Sequence, residues 1–229
     1  INCLKQLGAE IDIHNDGSYR VKGRGMNGLK AADDDLDCGN SGTTIRLLMG
    51  LIASINGTVR LIGDDSLQSR PMERVYGLLN KMGANIFSEQ SNGCAPIIIE
   101  GKQLTTDQTI EMTIASAQIK SALLLAGLSS RGTLNIIEPF KSRDHTERML
   151  LAMGAKINIK KSIAFIIGQS NLNGADCISS DLRSTFAIIL GAMAANGESC
   201  ISRVYHGLRG YSNLYNNLKK IGVNIKKKS

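Results

Sequence analysis

Apolar positions along the chain predict three buried helices. Residues 45–53, 119–128 and 186–195 are apolar on nearly every face, which is typical of a helix enclosed by other elements. Each segment also contains glycine or alanine, the small residues that allow two helices to approach closely. We therefore expect three buried helices that pack against one another.

The same order of elements follows each buried helix. A short run rich in β-branched residues comes after a glycine, as at 58–62 and 133–137, and predicts a strand. The pattern then becomes that of an amphipathic helix, as at 71–82, where Pro71 suits the first helical position. These second helices are expected on the outside of the domain.

A recurring phrase, Gly-Ala-x-Ile, marks the repeat. It begins at Gly8, Gly83 and Gly154, and returns as Gly-Val-Asn-Ile at Gly222. A period of roughly 70 residues exceeds that of ordinary solenoids and favours small α/β units packed into one body. We expect one domain over residues 1–229, divided into 1–86 (the end of one unit and a second unit), 87–157 and 158–229.

Composition narrows the class of partner. The chain has a formal net charge of +7, which suits an anionic partner. Four phenylalanines, five tyrosines and no tryptophan provide little material for base stacking, so small anions are favoured over nucleic acid. No apolar run is long enough to predict a membrane span. The five cysteines are far apart without a Cys-x-x-Cys pair, which predicts a reducing cytoplasm and neither a zinc site nor a disulfide framework.

The segment before each buried helix has the features of an anion site. The glycine-rich loop 38–44 runs directly into the first of these helices. Backbone N–H groups at a helix start lack intrahelical partners and attract anions. The loop has no Gly-Lys-Ser/Thr triplet, so it is not a nucleotide P-loop. If the three helix starts converge, they bring together the following residues: Asn40, Ser41, Gly42, Thr43, Ser116, Gln118, Asp181, Arg183 and Ser184.

Three arginines occupy related places in the units. Arg70 and Arg143 lie before second helices, and Arg209 lies in the last unit. The guanidinium fork matches phosphate and carboxylate groups, which strengthens the expectation of an anion site. The histidines and the Asp33–Asp35 run lack the spacing of metal ligands, so no metal is expected.

Four motifs in order carry a family resemblance. They cover residues 39–48 (Gly-Asn-Ser-Gly-Thr-Thr-Ile-Arg-Leu-Leu), 69–72 (Ser-Arg-Pro-Met), 116–128 and 142–147 (Ser-Arg-Asp-His-Thr-Glu). This series resembles the EPSP synthase (3-phosphoshikimate 1-carboxyvinyltransferase) family of enolpyruvyl transferases. The resemblance implies an inside-out α/β domain of βαβαββ-type units. It also implies transfer of the enolpyruvyl group of phosphoenolpyruvate to shikimate 3-phosphate, with release of phosphate and no cofactor.

Site residues follow from the same resemblance. It assigns Asn40, Gly42, Thr43 and Arg70 to phosphoenolpyruvate, and Ser116, Ala117, Gln118 and Arg143 to shikimate 3-phosphate. Gly42 also matches the position at which the herbicide glyphosate requires space. The acid–base residues and the second domain of the family have no counterpart in this sequence. The chain alone is therefore expected to be inactive, and a second domain acting in trans stays open as a partner.

The last unit departs from this pattern. Residues 180–184 and 203–211 resemble UDP-N-acetylglucosamine enolpyruvyl transferase, in which Asp181, Arg183 and Arg209 match substrate-site positions. Two alternatives therefore stay open: an enzyme that uses UDP-N-acetylglucosamine as acceptor, and a non-catalytic anion-binding domain of the same fold. Binding of RNA ends, suggested by the related architecture of RNA 3′-phosphate cyclases, is disfavoured by the low aromatic content.

Overall fold

A computed structural model describes residues 2–13, 18–25, 28–169 and 171–203. The first two described segments contain α1 (Asn2–Gln6), β1 (Glu10–Ile13) and β2 (Tyr19–Arg24). The strands β1 and β2 pair antiparallel. The strand β2 also pairs with a strand from the other end of the described chain.

Residues 36–101 form the first continuous unit. Its elements are β3 (Leu36–Asp37), α2 (Gly42–Ile52), β4 (Gly57–Ile62), α3 (Asp65–Gln68), α4 (Glu73–Lys81), β5 (Asn85–Ser88) and β6 (Ile97–Gly101). The strands form a sheet of order β3-β4-β6-β5, in which β3 is parallel to β4 and the other pairs are antiparallel. A buried helix, a strand and a second helix follow one another as the sequence pattern predicts.

Residues 108–167 repeat this arrangement. The elements are β7 (Gln108–Glu111), α5 (Ala117–Ser129), β8 (Thr133–Ile137), α6 (His145–Ala152), β9 (Ile157–Lys160) and β10 (Ile163–Ile167). The sheet order is β7-β8-β10-β9, again with one parallel pair and two antiparallel pairs. The two units therefore share one topology.

The third sheet joins the two ends of the described chain. Its later elements are β11 (Cys177–Ile178), α7 (Leu182–Ala194) and β12 (Asn196–Ser202). The strand β12 pairs parallel with β11 and antiparallel with β2, which gives the order β1-β2-β12-β11. Thus β2 and β1 take the places that β6 and β5 take in the first unit.

Sheet boundaries differ from the predicted divisions at residues 86 and 157. The first sheet continues through β6 to Gly101, and the second continues through β10 to Ile167. The repeated phrase runs into β5 and β9, and one more strand of each sheet, β6 or β10, follows it. Its glycines Gly8, Gly83 and Gly154 have φ values of 92°, 92° and 89°. This left-handed conformation ends a helix and favours glycine.

The helices α2, α5 and α7 are buried, which confirms the prediction from the apolar segments. Every residue from Ile119 to Ser129 in α5 is buried, as is every residue from Ser184 to Ala194 in α7. A Cβ atom on Gly50 would lie 2.1 Å from the carbonyl oxygen of Ala122, so α2 and α5 touch backbone to backbone. Within the described ranges, no helix has the length and apolarity needed to cross a membrane.

A glycine in each sheet allows a strand to pass against the end of a buried helix. A Cβ atom on Gly101 would lie 1.9 Å from the carbonyl oxygen of Ile55, just beyond α2. A Cβ atom on Gly168 would lie 2.0 Å from the carbonyl oxygen of Ser130, just beyond α5. A Cβ atom on Gly23 would lie 2.1 Å from the carbonyl oxygen of Ala195, just beyond α7. Side chains would clash at all three places. The three units therefore share this close packing between a strand and the end of a buried helix.

Candidate functional site

The starts of the three buried helices meet at one cavity of about 600 Å³. Its wall takes Thr43 and Leu47 from α2, residues 115–118 and Ser121 from the start of α5, and Ser184 and Ala187 from α7. The remaining wall residues are Asp181, which precedes α7, and five residues in the segment before α6 and in its first turn, namely Lys141, Ser142, Arg143, His145 and Thr146. Of the residues predicted to converge, the cavity wall includes Thr43, Ser116, Gln118, Asp181 and Ser184, whereas Asn40, Ser41 and Gly42 are not part of it.

A side chain caps each of these helix starts. The Ser41 hydroxyl accepts a hydrogen bond from Thr44 N at 3.1 Å, and the Ser116 hydroxyl accepts one from Ile119 N at 3.4 Å. At α7 the Asp181 carboxylate accepts from Ser184 N at 2.9 Å. The third helix consequently begins at Leu182, before the Ser184 start that the sequence pattern suggests. Caps hold the helix ends in place, with their partial positive charge directed toward the cavity.

Gln118 joins the two predicted substrate sites. Its amide nitrogen donates to the Thr43 hydroxyl at 2.8 Å, and its amide oxygen accepts from Arg46 Nη1 at 2.8 Å. Thr43 is predicted to contact phosphoenolpyruvate, whereas Gln118 is predicted to contact shikimate 3-phosphate. The first turns of α2 and α5 are therefore fixed to each other where the two substrates would adjoin.

Arg70 lies beside the cavity, where it contacts predicted partners of the same substrate. Its Nη2 donates to Asn40 Oδ1 at 2.6 Å and to Ser66 Oγ at 2.9 Å, and its Nη1 donates to the Asn40 carbonyl oxygen at 3.4 Å. These acceptors are neutral, so they orient the guanidinium without cancelling its charge. Asn40 is in turn held by Asp64, whose carboxylate accepts from the Asn40 amide at 2.9 Å.

Gly42 leaves room for two guanidinium groups. A Cβ atom at this position would lie 2.9 Å from Arg46 Nη1 and 3.4 Å from Arg70 Nη1. Arg46 also donates to the Gly42 carbonyl oxygen at 3.4 Å. The predicted site residues do not include Arg46, although its position four residues after Gly42 on one helix face is a usable signal. A compact positive surface therefore borders the first turn of α2.

Arg143 and Asp181 lie together on the opposite side of the cavity. Arg143 Nη1 is 3.7 Å from Asp181 Oδ2, and His145 Nδ1 is 3.3 Å from the same oxygen. The Arg143 side chain is 59% exposed, so a ligand in the cavity can reach it. Of the other predicted contacts in this region, Ser116 and Ala117 line the cavity. Arg183 belongs to the first turn of α7, its side chain is not described, and Arg209 lies outside the described residues.

Three buried ions lie beneath this side of the cavity. Lys120 Nζ is 2.8 Å from Glu138 Oε1 and 2.7 Å from Glu147 Oε1, and all three side chains are at most 4% exposed. Burial alone would lower the pKa of Lys120, but hydrogen bonds to the two carboxylates raise it above its ordinary value. Burial raises the pKa of Glu147, and Lys120 opposes this effect only in part. Sequence reasoning missed these ions, although a lysine inside an apolar helix is itself a signal.

Metal ligands do not cluster in the described ranges, where no group of three or more His, Cys, Asp or Glu side chains could hold a metal ion. The cavity wall carries cations, amides, hydroxyls, the carboxylate of Asp181 and the helix starts. These groups suit the binding and orientation of small anions.

Comparison with protein families and curated proteins gives consistent matches. The family model of EPSP synthase (3-phosphoshikimate 1-carboxyvinyltransferase) matches residues 1–229. A 3-phosphoshikimate 1-carboxyvinyltransferase of Magnetococcus marinus is 49% identical over 176 residues, covering 77% of this chain and 39% of the relative. One from Thermodesulfovibrio yellowstonii is 50% identical over 159 residues, covering 69% and 37%. The chain thus spans about half the length of these relatives, and the matched segments cover less than half of them.

Solved structures agree on the fold. EPSP synthase from Acinetobacter baumannii superposes with a TM-score of 0.72 at 38% identity, covering 75% of this chain and 38% of that one. The enolpyruvyl transferase NikO from Streptomyces tendae gives a TM-score of 0.58 at 20% identity, covering 96% and 51%. The second likeness concerns the fold alone. Since the family model extends over all 229 residues and the fold agrees with it, the chain belongs to the EPSP synthase family.

Proposed function

We propose that this chain supplies substrate-binding residues for 3-phosphoshikimate 1-carboxyvinyl transfer. In this reaction the 5-hydroxyl of shikimate 3-phosphate adds to C2 of phosphoenolpyruvate, and inorganic phosphate then leaves from the tetrahedral intermediate. The observation that carries the proposal is the convergence of three helix starts on one cavity, with Arg143 in its wall and Arg46 hydrogen-bonded to the wall residue Gln118. Because relatives of this name are about twice as long, the complete reaction is proposed with a second domain.

The α2 side suits phosphoenolpyruvate. Arg46 and Arg70 place their guanidinium groups against Gly42, so a side chain there would displace the nearer one, that of Arg46. Two guanidinium groups can form paired hydrogen bonds with the carboxylate and phosphate of this substrate. Hydrogen bonds to charged groups contribute about 1.5–3 kcal/mol each. Thr43, in the cavity wall, would contact the same ligand.

The opposite side suits an acceptor that carries both phosphate and hydroxyl groups. Ser116, Ala117 and Gln118 line the cavity at the start of α5, and Arg143 extends into it. Arg143 would bind the phosphate of shikimate 3-phosphate, while polar side chains nearby would bind its hydroxyls. Gln118 contacts Thr43, so the two substrates would be held side by side. Positioning two anions in this way lowers the barrier through proximity and charge stabilisation.

The choice of acceptor can be tested by calorimetry. We expect shikimate 3-phosphate to give saturable heat with the 229-residue chain, and UDP-N-acetylglucosamine to give none. Arg143→Lys keeps the charge but loses the fork, and should weaken the first signal because bidentate hydrogen bonding is lost. Saturable heat with UDP-N-acetylglucosamine alone would reassign the acceptor.

Catalysis can be tested by adding the missing portion of the family. The chain alone should release negligible phosphate from a mixture of phosphoenolpyruvate and shikimate 3-phosphate. A separately expressed second domain, taken from the Magnetococcus marinus relative, should restore phosphate release when both parts are mixed. Intact binding with no release in the mixture would favour a non-catalytic anion-binding domain.

A further inference from the structure

The carboxylate of Glu138 contacts two different parts of the fold. Its Oε1 accepts from Lys120 Nζ at 2.8 Å. Its Oε2 accepts from both the hydroxyl of Ser142, at 2.6 Å, and the backbone N–H of Ser142, at 3.1 Å. Because Lys120 belongs to α5 and Ser142 to the loop between β8 and α6, one carboxylate joins the helix to the loop.

The surrounding contacts make this junction rigid. Lys120 lies one helical turn after the cap Ser116, and its ammonium also contacts Glu147 of α6 at 2.7 Å. The hydroxyls of Ser121 and Thr146, both in the cavity wall, are 2.7 Å apart. The helices α5 and α6 are therefore held together directly under the cavity.

Stability alone does not account for burying these ions. Removing a lysine and two carboxylates from water is costly, and apolar residues of the same volume often stabilise a fold equally well. Glu138, however, makes contacts that an apolar residue could not make, because it accepts two hydrogen bonds from Ser142. Ser142 lines the cavity directly beside Arg143.

We infer that Glu138 is a positioning residue, which fixes the Ser142–Arg143 segment for anion binding through its bonds to Ser142. Arg143 itself is 59% exposed, and its ion pair with Asp181 is long, at 3.7 Å. A guanidinium on a loop fixed in advance loses less conformational entropy when it binds a ligand. The inference rests on the proposed function, which assigns Arg143 to the phosphate of the acceptor.

Two matched variants test the inference. Glu138→Gln and Glu147→Gln each replace one buried carboxylate of the ion cluster with an amide of the same shape. Glu138 is bonded to Ser142, whereas Glu147 lies on α6 on the other side of Lys120. An amide at 138 must turn its NH₂ either toward the Lys120 ammonium or toward the two donors of Ser142. One side of the junction therefore breaks in either orientation.

Binding is measured with inorganic phosphate and with shikimate 3-phosphate, by titrations that follow backbone amide resonances of the 229-residue chain. Glu138→Gln should weaken both ligands by about tenfold or more, and Glu147→Gln by less than about twofold. Equal losses in the two variants would show that the ions act only as structure, and would overturn the inference. If wild type binds phosphate but not shikimate 3-phosphate, the proposed function fails, and the phosphate comparison still decides the role of Glu138. If wild type binds neither anion, both proposals fail.

Hydrogen exchange supplies a test that needs no variant and no ligand. The Ser142 amide of the wild-type chain should exchange at least about a hundredfold more slowly than a free peptide amide, because its N–H donates a hydrogen bond to Glu138. Exchange at the free rate would overturn the inference even if Glu138→Gln does not fold.

Discussion

The two sides of the cavity hold their arginines by different means. On the α2 side, Arg70 donates to neutral oxygens of Asn40 and Ser66, which orient the guanidinium while leaving its charge intact. On the opposite side, Arg143 faces the carboxylate of Asp181 and extends from a loop that Glu138 holds from below. In the proposed function, the first arrangement would bind the smaller substrate, phosphoenolpyruvate. The second would bind the larger acceptor, in which hydroxyl groups accompany the phosphate.

The difference also separates two ways of making a binding site rigid. On the α2 side the arginines lie on or beside a helix start. Neutral acceptors, and the lack of a side chain at Gly42, are sufficient to orient their guanidinium groups there. A loop lacks a helical hydrogen-bond ladder, so its geometry needs support from elsewhere. In this fold that support comes from ions buried in the adjoining core.

The largest expected effect is on stability, from Lys120→Met. This change leaves the carboxylates of Glu138 and Glu147 buried without their cation, which should lower the free energy of unfolding by about 3–5 kcal/mol. Urea unfolding measures this change in the free energy of unfolding. Lys22→Met is the control, because that lysine is 68% exposed and pairs with Glu10 at the surface, where loss of an ion pair costs about 0–1 kcal/mol. Similar values for the two variants would contradict an energetic role of the buried ions.

The next largest expected effect is on phosphoenolpyruvate binding, from Arg70→Lys. This variant tests the α2 side, where neutral oxygens orient the arginine. The lysine keeps the charge but loses the fork, so we expect phosphoenolpyruvate to bind about 10- to 100-fold more weakly, as for the loss of charged hydrogen bonds. Calorimetry measures the affinity of each variant for phosphoenolpyruvate. The matched control is Arg60→Lys, since Arg60 pairs with Asp35 and Glu89 away from the cavity. If both substitutions alter the affinity equally, the assignment of Arg70 is wrong.

A smaller effect is expected from Gly42→Ala. The added methyl group would lie 2.9 Å from Arg46 Nη1, and the guanidinium can move away because it ends a flexible side chain. Stability should change little, while phosphoenolpyruvate affinity should fall several-fold, or about 1 kcal/mol, as the arginine loses its placement. Gly77→Ala in α4 meets open space and should stabilise the helix by about 0.5–1 kcal/mol without changing affinity. Unchanged binding in Gly42→Ala would remove the argument for a crowded anion site there.

The smallest effect is a pH dependence of stability. Burial raises the pKa of Glu147 above its ordinary value of 4.5, so the folded chain holds this proton more tightly than the unfolded chain. The resulting stabilisation is complete below the ordinary pKa and is lost as the pH rises through the folded pKa. The unfolding free energy of wild type, relative to Glu147→Gln, should therefore fall as the pH is raised from 4.5. A difference that stays constant or grows would contradict a raised pKa.

Features that depend on local pattern could be predicted from the sequence. The three buried helices follow from apolar runs, and their convergence follows from the repeat. The ends of the sheets could not be placed from the repeat, because β6 and β10 pair with β5 and β9 after the repeated phrase. The pairing of β2 with β12 could not be predicted either, because it joins distant parts of the chain. No periodicity in the sequence indicates that Gly101 passes against the end of α2.

The candidate site shows the same limit. Motif resemblance named Thr43 and Gln118 separately, and the structure adds that they are hydrogen-bonded. The resemblance also named Arg143, but it did not indicate that Glu138 holds the neighbouring Ser142. The position of Lys120 in an apolar helix does not show which carboxylates will contact its ammonium group. Glu138 and Glu147 become partners only when a strand end and a second helix fold against α5.

The sheet made from both ends of the described chain sets an order of assembly. Tyr19 pairs with Ile201 in this sheet, whereas the other two sheets form within residues 36–101 and 108–167. Closing the longer loop costs more entropy before any contact compensates for it, and distant pairings are slow to form. In pulse-labelled refolding we expect the amide of Ile99 to become protected before that of Val21. The cavity would then acquire its α7 wall last, so folding intermediates would present two walls of an anion site before the third encloses it.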